Sequence, residues 1–379
     1  MRREWILLWV AGVCCTRPQD PSARVVDGGG VDASAPNVSV DDASVEDAND
    51  AAVEDAPADS ATPTRFTPRH GAQEDDTTPP QGPTLVLDSG TSPSVFAQWM
   101  HTALFPNAED RHGDLVVLTA YAHDGAPALL THGFRSAQTL ALDASATPAD
   151  YAAAAAILAR AEAVWFEGGD QAAYVRWQST PVLAAVQGVY DRGGAVGGLS
   201  AGMIILGSAV NDALLTLSEN LTSARLLADP FDAELHFSHD LLRFAPLAGT
   251  ITDPHFRGAG RMGRLATFMA RNVGDGAGFR GIGVDDGAAL AIDRHGLGRR
   301  LGQNAVHVVH GGRPSRLAPA TPLLYAGLRV LHLHTDDDWF DFNRDCGEGS
   351  VITLDVDGAA APPYSVDPYT GGVRRSTCD

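Results

Sequence analysis

Three kinds of side chain in this chain are spaced to do chemistry together: a serine flanked by glycines, a histidine in an arginine-rich loop, and a pair of adjacent aspartates. The serine is Ser200, within Gly193-Gly-Ala-Val-Gly-Gly-Leu-Ser-Ala-Gly202. That stretch reads as a short buried strand, a tight glycine turn and a helix beginning at Ala201. A serine on such a bend has its hydroxyl pushed into the open, the geometry of a nucleophile elbow. Gly198 and Gly202 flank it at the spacing the bend needs, since a Cβ at either place would clash. The N–H of Ala201 then faces the point where an oxyanion would form, and the helix start favours negative charge there. A phosphate-cradling or purely structural glycine turn is the alternative for this stretch alone.

A serine hydroxyl is a weak nucleophile without a base, and histidine titrates near neutrality. Of the thirteen histidines, His255 has the most informative setting: a strand end, followed by a loop crowded with Arg257, Arg261 and Arg264 in Thr252-Asp-Pro-His-Phe-Arg-Gly-Ala-Gly-Arg-Met-Gly-Arg264. Those arginines can clamp a carboxylate of a substrate, or lie solvated at a helix start. An acid is needed to orient the histidine and stabilise its charged form. Asp286, in Gly281-Ile-Gly-Val-Asp-Asp-Gly287, is the choice, with Asp253 and Asp212 as competitors. A fourth stretch, Glu167-Gly-Gly-Asp-Gln171, follows a strand. Gly169 is the candidate second oxyanion donor. Asp170 and Gln171 are candidates to hold substrate, and Asp170 can instead cap the next helix.

These stretches need elements to hold them. Leu85–Leu87, Asp114–Leu118, Ala163–Phe166 and Ala195–Val196 read as buried strands. Ser94–Leu104, Ala152–Ala163 and Pro181–Tyr190 read as helices. Strands alternating with helices imply a parallel sheet covered on both faces. Ligands in such sheets bind beyond the carboxyl ends of the strands, where Ser200 falls. From Ile282 onward the pattern changes to short strands, Ala288–Ile292, Ala305–Val309 and Leu328–Leu333, which reads as antiparallel strands completing the domain.

Composition bounds the rest. The 379 residues carry a net charge of −20, and every basic side chain is arginine. Thirteen acids fall between Asp27 and Asp76, against Arg65 and Arg69, so about half of the excess sits in one segment. Without a basic face, nucleic acid is excluded as a partner, and without lysine there is no lysine base or nucleophile. Residues 16–82, rich in Asp, Ala, Ser and Pro, read as a disordered acidic linker. Before them, Arg2-Arg3 and the apolar Trp5–Val13 describe an export signal too short to span a bilayer. Cys14 or Cys15 can serve as a lipidated membrane tether. Of the four cysteines, Cys346 and Cys378 lie in the tail and are placed to form a disulfide. Acids from Thr335 to Gly349 fall short of a calcium loop, because Cys346 and Ile352 occupy the places where an EF-hand has Gly and Glu. No metal or cofactor is required.

Taken together, the four stretches resemble the cyanophycinase family of serine peptidases, which is related to the dipeptidase peptidase E. The likeness spans roughly residues 83–335. It rests on Gly-Gly-Asp-Gln at 168–171, Gly-x-Ser-Ala-Gly at 198–202, Asp-x-His-Phe followed by arginines at 253–264, and Gly-Ile-Gly-x-Asp-acid at 281–286. Pro254 stands where the family has Gln, Ala259 where it has the first loop arginine, and Asp286 where it has Glu. The resemblance implies an α/β, class-I glutamine amidotransferase-like (flavodoxin-like) three-layer sandwich with a mostly parallel sheet. It also implies a Ser200–His255–acid triad and bonds cut next to aspartyl residues. The expectation is an exported serine peptidase, residues 83–335, acting on a small aspartyl-type peptide or polymer. A signal lies in 1–15, a linker in 16–82 and a tail in 336–379. A homodimer is a further expectation. The rival reading is a catalytically degenerate peptide-binding module of the same fold.

Overall fold

A strand whose every residue is apolar must be covered on both faces. The runs 85–87, 115–118 and 163–166 are of this kind, within the strands Thr84–Asp88, Asp114–Thr119 and Ala163–Phe166, whose every position is buried. In the computed structural model, which describes residues 65–107, 109–273 and 279–378, these strands lie side by side. Their order is Ser136–Ala141, Asp114–Thr119, Ala163–Phe166, Ala195–Leu199, Thr84–Asp88, all parallel. Side chains alternate across the sheet. Leu85, Leu87, Val116, Leu118 and Phe166 join one core beneath the helices Pro148–Leu158 and Pro181–Asp191. Val86, Leu115, Val117 and Trp165 join another against the helix Pro93–Leu104, where Phe96 stacks on Trp165 with ring centroids 3.7 Å apart. The result is a mixed α/β sheet with helices on both faces of its parallel part.

Beyond Thr84–Asp88 the strands turn antiparallel: Ala288–Ile292, then Leu297–Gly302. A second wing begins with Thr250–Asp253, parallel to Phe279–Val284. It continues antiparallel through Val306–Gly311, Thr321–Leu333 and Cys346–Asp357. The short strand Trp339–Asp341 bridges the wings, pairing with both Leu297–Gly302 and Cys346–Asp357. The helix Met262–Asn272 packs Leu265, Phe268 and Met269 into the core of this second wing. The expected antiparallel finish is present.

Two boundaries move outward. The signal and the linker up to residue 64 lie outside the described residues, but the stretch from Arg65 to Gly82 belongs to the folded body and not to a linker. Phe66 is buried and bridges to Leu140. Arg65 pairs with Asp143 and Asp150 at 2.5 and 3.3 Å, Arg69 with Asp114 at 2.6 Å, and His70–Gly71 adds an edge to Ser136–Ala141. One aromatic and two arginines supply the anchors that the acidic composition hides. At the other end, residues 336–379 are not an appended tail. Cys346–Asp357 and Val373–Ser376 are strands of the sheet, and Cys346 is joined to Cys378 by a disulfide. The alanine-rich helix also sits earlier than its composition suggests. It begins after Thr147, which forms a reciprocal capping box with Asp150.

Candidate active site

The parallel strands deliver their C-terminal ends to one rim, and the chemistry-bearing residues collect there. Ser200 follows Leu199 with φ 52° and ψ −109°, a conformation that costs a non-glycine residue on the order of 1–3 kcal/mol. It is held by its N–H, which donates to the carbonyl of Asp88 at 2.9 Å. A Cβ on Gly198 would come within 2.4 Å of the Gly202 backbone, and one on Gly202 within 2.4 Å of the Phe166 carbonyl. Only glycine allows the strand and the following turn to approach so closely. The helix after Ser200 is a single turn, Ala201–Ile204, so any anion stabilisation comes from individual amides and not from a long helix dipole.

His255 lies two residues beyond the strand Thr250–Asp253 and also sits in the left-handed region, φ 49°. Its N–H donates to Ser89 Oγ at 2.7 Å. Its Nε2 is 2.8 Å from Ser200 Oγ, and its Nδ1 is hydrogen-bonded to Asp286 Oδ1. A carboxylate at Nδ1 fixes the proton there and leaves Nε2 bare to accept the serine hydroxyl. Asp286 stands on the turn after Phe279–Val284 with its side chain 57% exposed, and its carbonyl accepts Asn304 Nδ2 at 2.6 Å. The adjacent Asp285 points the other way. It accepts the Arg257 N–H at 2.9 Å and meets His307 Nε2 at 3.1 Å. Burial opposes charge on Asp285, but the His307 contact together with the Arg257 and Ala305 N–H groups outweighs it and its pKa is lowered.

Gly168 places its Cα beside Ser200, since a Cβ built there would lie 3.6 Å from Ser200 Cβ. Gly169 has φ +133°. The next N–H, of Asp170, donates to the hydroxyl of Tyr121 at 2.8 Å. Among the described residues, the N–H groups of Gly169 and Ala201 donate to no loop or side-chain acceptor. The candidate oxyanion donors are therefore on the serine side of the rim.

The expected substrate-binding set needs correction. Arg264 is 2% exposed and holds Asp253 with two nitrogens, Nε at 2.7 Å and Nη2 at 2.5 Å, and Ser218 O at 2.8 Å. It cannot reach a substrate. Gln171 is equally buried and donates to the Asn211 carbonyl at 3.2 Å. Asp170 caps the helix Gln171–Val175 by accepting the Ala172 N–H at 2.9 Å. Arg261 donates to the Pro254 carbonyl at 2.7 Å and reaches Asp253 at 3.4 Å, and burial lowers its pKa. The two arginines fix Asp253 and Pro254, which lead into His255. The competing acids are likewise engaged elsewhere: Asp253 by the arginines, Asp212 by His236 at 2.5 Å and Ser238 at 2.8 Å.

Sequence reasoning passed over Asp88 and Ser89. Both are fully buried. Burial raises the Asp88 carboxyl to about 6 despite the Thr91 N–H it accepts, and its Oδ2 has no partner. An apolar strand ending in Asp-Ser-Gly is the one signal that could have marked them. The histidines His307 and His332 do meet, Nδ1 to Nδ1 at 2.7 Å, but among the described residues no three metal-ligating side chains cluster.

No protein-family model matches the chain, and no curated protein does. Solved structures with some likeness include a peptidase from an acI-B1 Actinobacterium, 14% identical, covering 61% of this chain and 92% of that one at TM-score 0.43. A candidate Peptidase E protein from Listeria monocytogenes EGD-e is 13% identical, covering 56% of this chain and 95% of that one at TM-score 0.38.

Proposed function

We propose that the protein is a serine-type peptidase of the cyanophycinase and peptidase E kind, on a class-I amidotransferase-like scaffold, hydrolysing a peptide or β-aspartyl amide bond. The observation that carries the reading is the hydrogen-bonded row Ser200 Oγ, His255 Nε2, His255 Nδ1, Asp286. Ser200 Oγ attacks the carbonyl carbon and His255 Nε2 takes its proton. The N–H groups of Gly169 and Ala201 hold the developing oxyanion. His255 then gives the proton to the leaving nitrogen, the C–N bond breaks, and an acyl-enzyme remains. Water attacks that ester, its proton passing through His255, and Ser200 is restored. Asp286 keeps the imidazole in the working tautomer. With Arg264, Gln171, Asp170 and Arg261 engaged within the fold, recognition of the aspartyl half falls to other groups on the open rim.

We place this peptidase outside the cytoplasm, tethered through Cys14 or Cys15. The support is the basic and apolar start of the sequence and the Cys346–Cys378 disulfide, a bond that persists in oxidising compartments. The test is labelling of the purified protein with a fluorophosphonate, then incubation with cyanophycin and a panel of aspartyl dipeptides. Labelling that is lost in Ser200→Ala and in His255→Ala, with cleavage of at least one aspartyl bond, is the expected result. An unlabelled wild-type protein that still binds aspartyl peptides would instead make it a binding module of the same fold.

A further inference from the structure

Beside the His255 loop lies a cavity of about 370 Å³, between that loop and the chain's C-terminal segment. Its lining includes Arg257, Asp285, Asn304, His332, Ser350 and Tyr369. Asn304 also holds the carbonyl of Asp286, so the cavity shares a wall with the turn that carries the triad acid.

His332 is 2% exposed, and its Nε2 has no hydrogen-bond partner. With both imidazoles uncharged, the contacts behind it set which atom carries the proton. Asp285, ionised, receives a proton donor from His307 Nε2. In that uncharged pair His307 offers a lone pair at Nδ1, which His332 Nδ1–H fills. His332 Nε2 is left as a bare acceptor. Burial, with His307 beside it, pushes the His332 pKa down to about 3, in keeping with a neutral ring. A buried acceptor without a partner costs about 1–3 kcal/mol, a cost that a ligand donor would remove. The second feature is Arg257. Its N–H is pinned to Asp285, its side chain is exposed, and it makes no ion pair among the described residues.

Resting on the peptidase reading above, the geometry points to this cavity as the subsite for the leaving half of the substrate: an amino acid whose free carboxylate meets Arg257 and whose side chain donates a hydrogen bond to His332 Nε2. The direction follows from the triad. The leaving nitrogen takes its proton from His255, and Arg257, two residues beyond it on the same loop, lines the cavity.

The test uses the full-length Ser200→Ala protein and calorimetric binding of four probes: aspartyl-asparagine, aspartyl-leucine and the C-terminal amide of each. The free acids bind at least about 10-fold more tightly than the amides, and asparagine more tightly than leucine in the leaving position. Adding Arg257→Ala brings the free acids down to the level of the amides. Adding His332→Phe, if that protein folds, removes the preference for asparagine. Equal binding of acids and amides, or an Arg257→Ala change that weakens both alike, overturns the subsite. So does a protein that binds none of the four probes. Fluorophosphonate labelling of wild-type Ser200 reads the nucleophile separately, so the subsite can fail while the peptidase reading stands.

Discussion

The hydroxyl of Ser89 accepts the backbone N–H of His255 at 2.7 Å, across 166 residues of sequence. The same residue's carbonyl accepts Gly287 N–H at 3.1 Å, and its N–H donates to Ala288 O at 3.0 Å. Its neighbour Asp88 accepts the N–H of Ser200. Two consecutive residues at the end of one strand therefore fix the serine, the histidine and the acid turn. Ser89→Ala leaves a buried N–H unsatisfied beside the base, a penalty of about 1–3 kcal/mol. We expect kcat to fall on the order of 10- to 100-fold with KM nearly unchanged and the fold retained by circular dichroism. Wild-type kcat in that variant would show that the serine only fills space.

Arg264 belongs to the fold and not to substrate recognition. Arg264→Met strands the carboxylate of Asp253 in the interior, which costs about 3–5 kcal/mol. Urea unfolding should show that loss, and Asp253→Asn in the same chain should recover part of it. A variant of unchanged stability whose only defect is a raised KM would return Arg264 to the substrate.

Asp88 makes stability depend on pH. Its carboxyl, raised by burial from 3.8 to about 6, binds a proton in the folded state that the unfolded chain releases near pH 4. Stability contributed by this group is therefore greatest below pH 4, declines as pH rises to about 6, and is flat above. At about 1.4 kcal/mol per pH unit the difference is at most about 3 kcal/mol. Asp88→Asn should remove that slope, gaining on wild type between about pH 4 and pH 6 and keeping that gain above it, in urea titrations. Parallel curves for the two proteins across this range would remove Asp88 as the source.

The stretch before Thr84 is structural. A chain beginning at Arg65 should unfold at the same temperature as the full-length protein, whereas one beginning at Pro83 should be strongly destabilised. Phe66→Ala alone should cost about 3–5 kcal/mol, as expected for an aromatic removed from a buried site. Equal melting of the two truncated chains would restore the linker reading up to residue 82.

Sequence by itself determined the local content of this protein. Runs such as Leu85-Val-Leu87 and Ala163–Phe166 are apolar at every position, and that alone requires a sheet covered on both faces. Glycines at 198 and 202 around a serine specify a bend that no other residues tolerate, so the elbow was legible from its composition. His255 and Asp286 could be named as candidates, but Asp253 and Asp212 matched them in type. Only the packing of Thr250–Asp253 against Phe279–Val284 decides that Asp286 faces the imidazole and Asp253 faces Arg264. The same holds for the arginines, whose sequence spacing is identical whether they clamp a ligand or an internal carboxylate. Ser89 was invisible because its side chain and backbone act through hydrogen bonds to backbone groups far along the chain. Periodicity and residue type report which face a side chain takes on its own strand or helix. Which partner it meets there depends on contacts between distant segments, and those exist only once the sheet has closed.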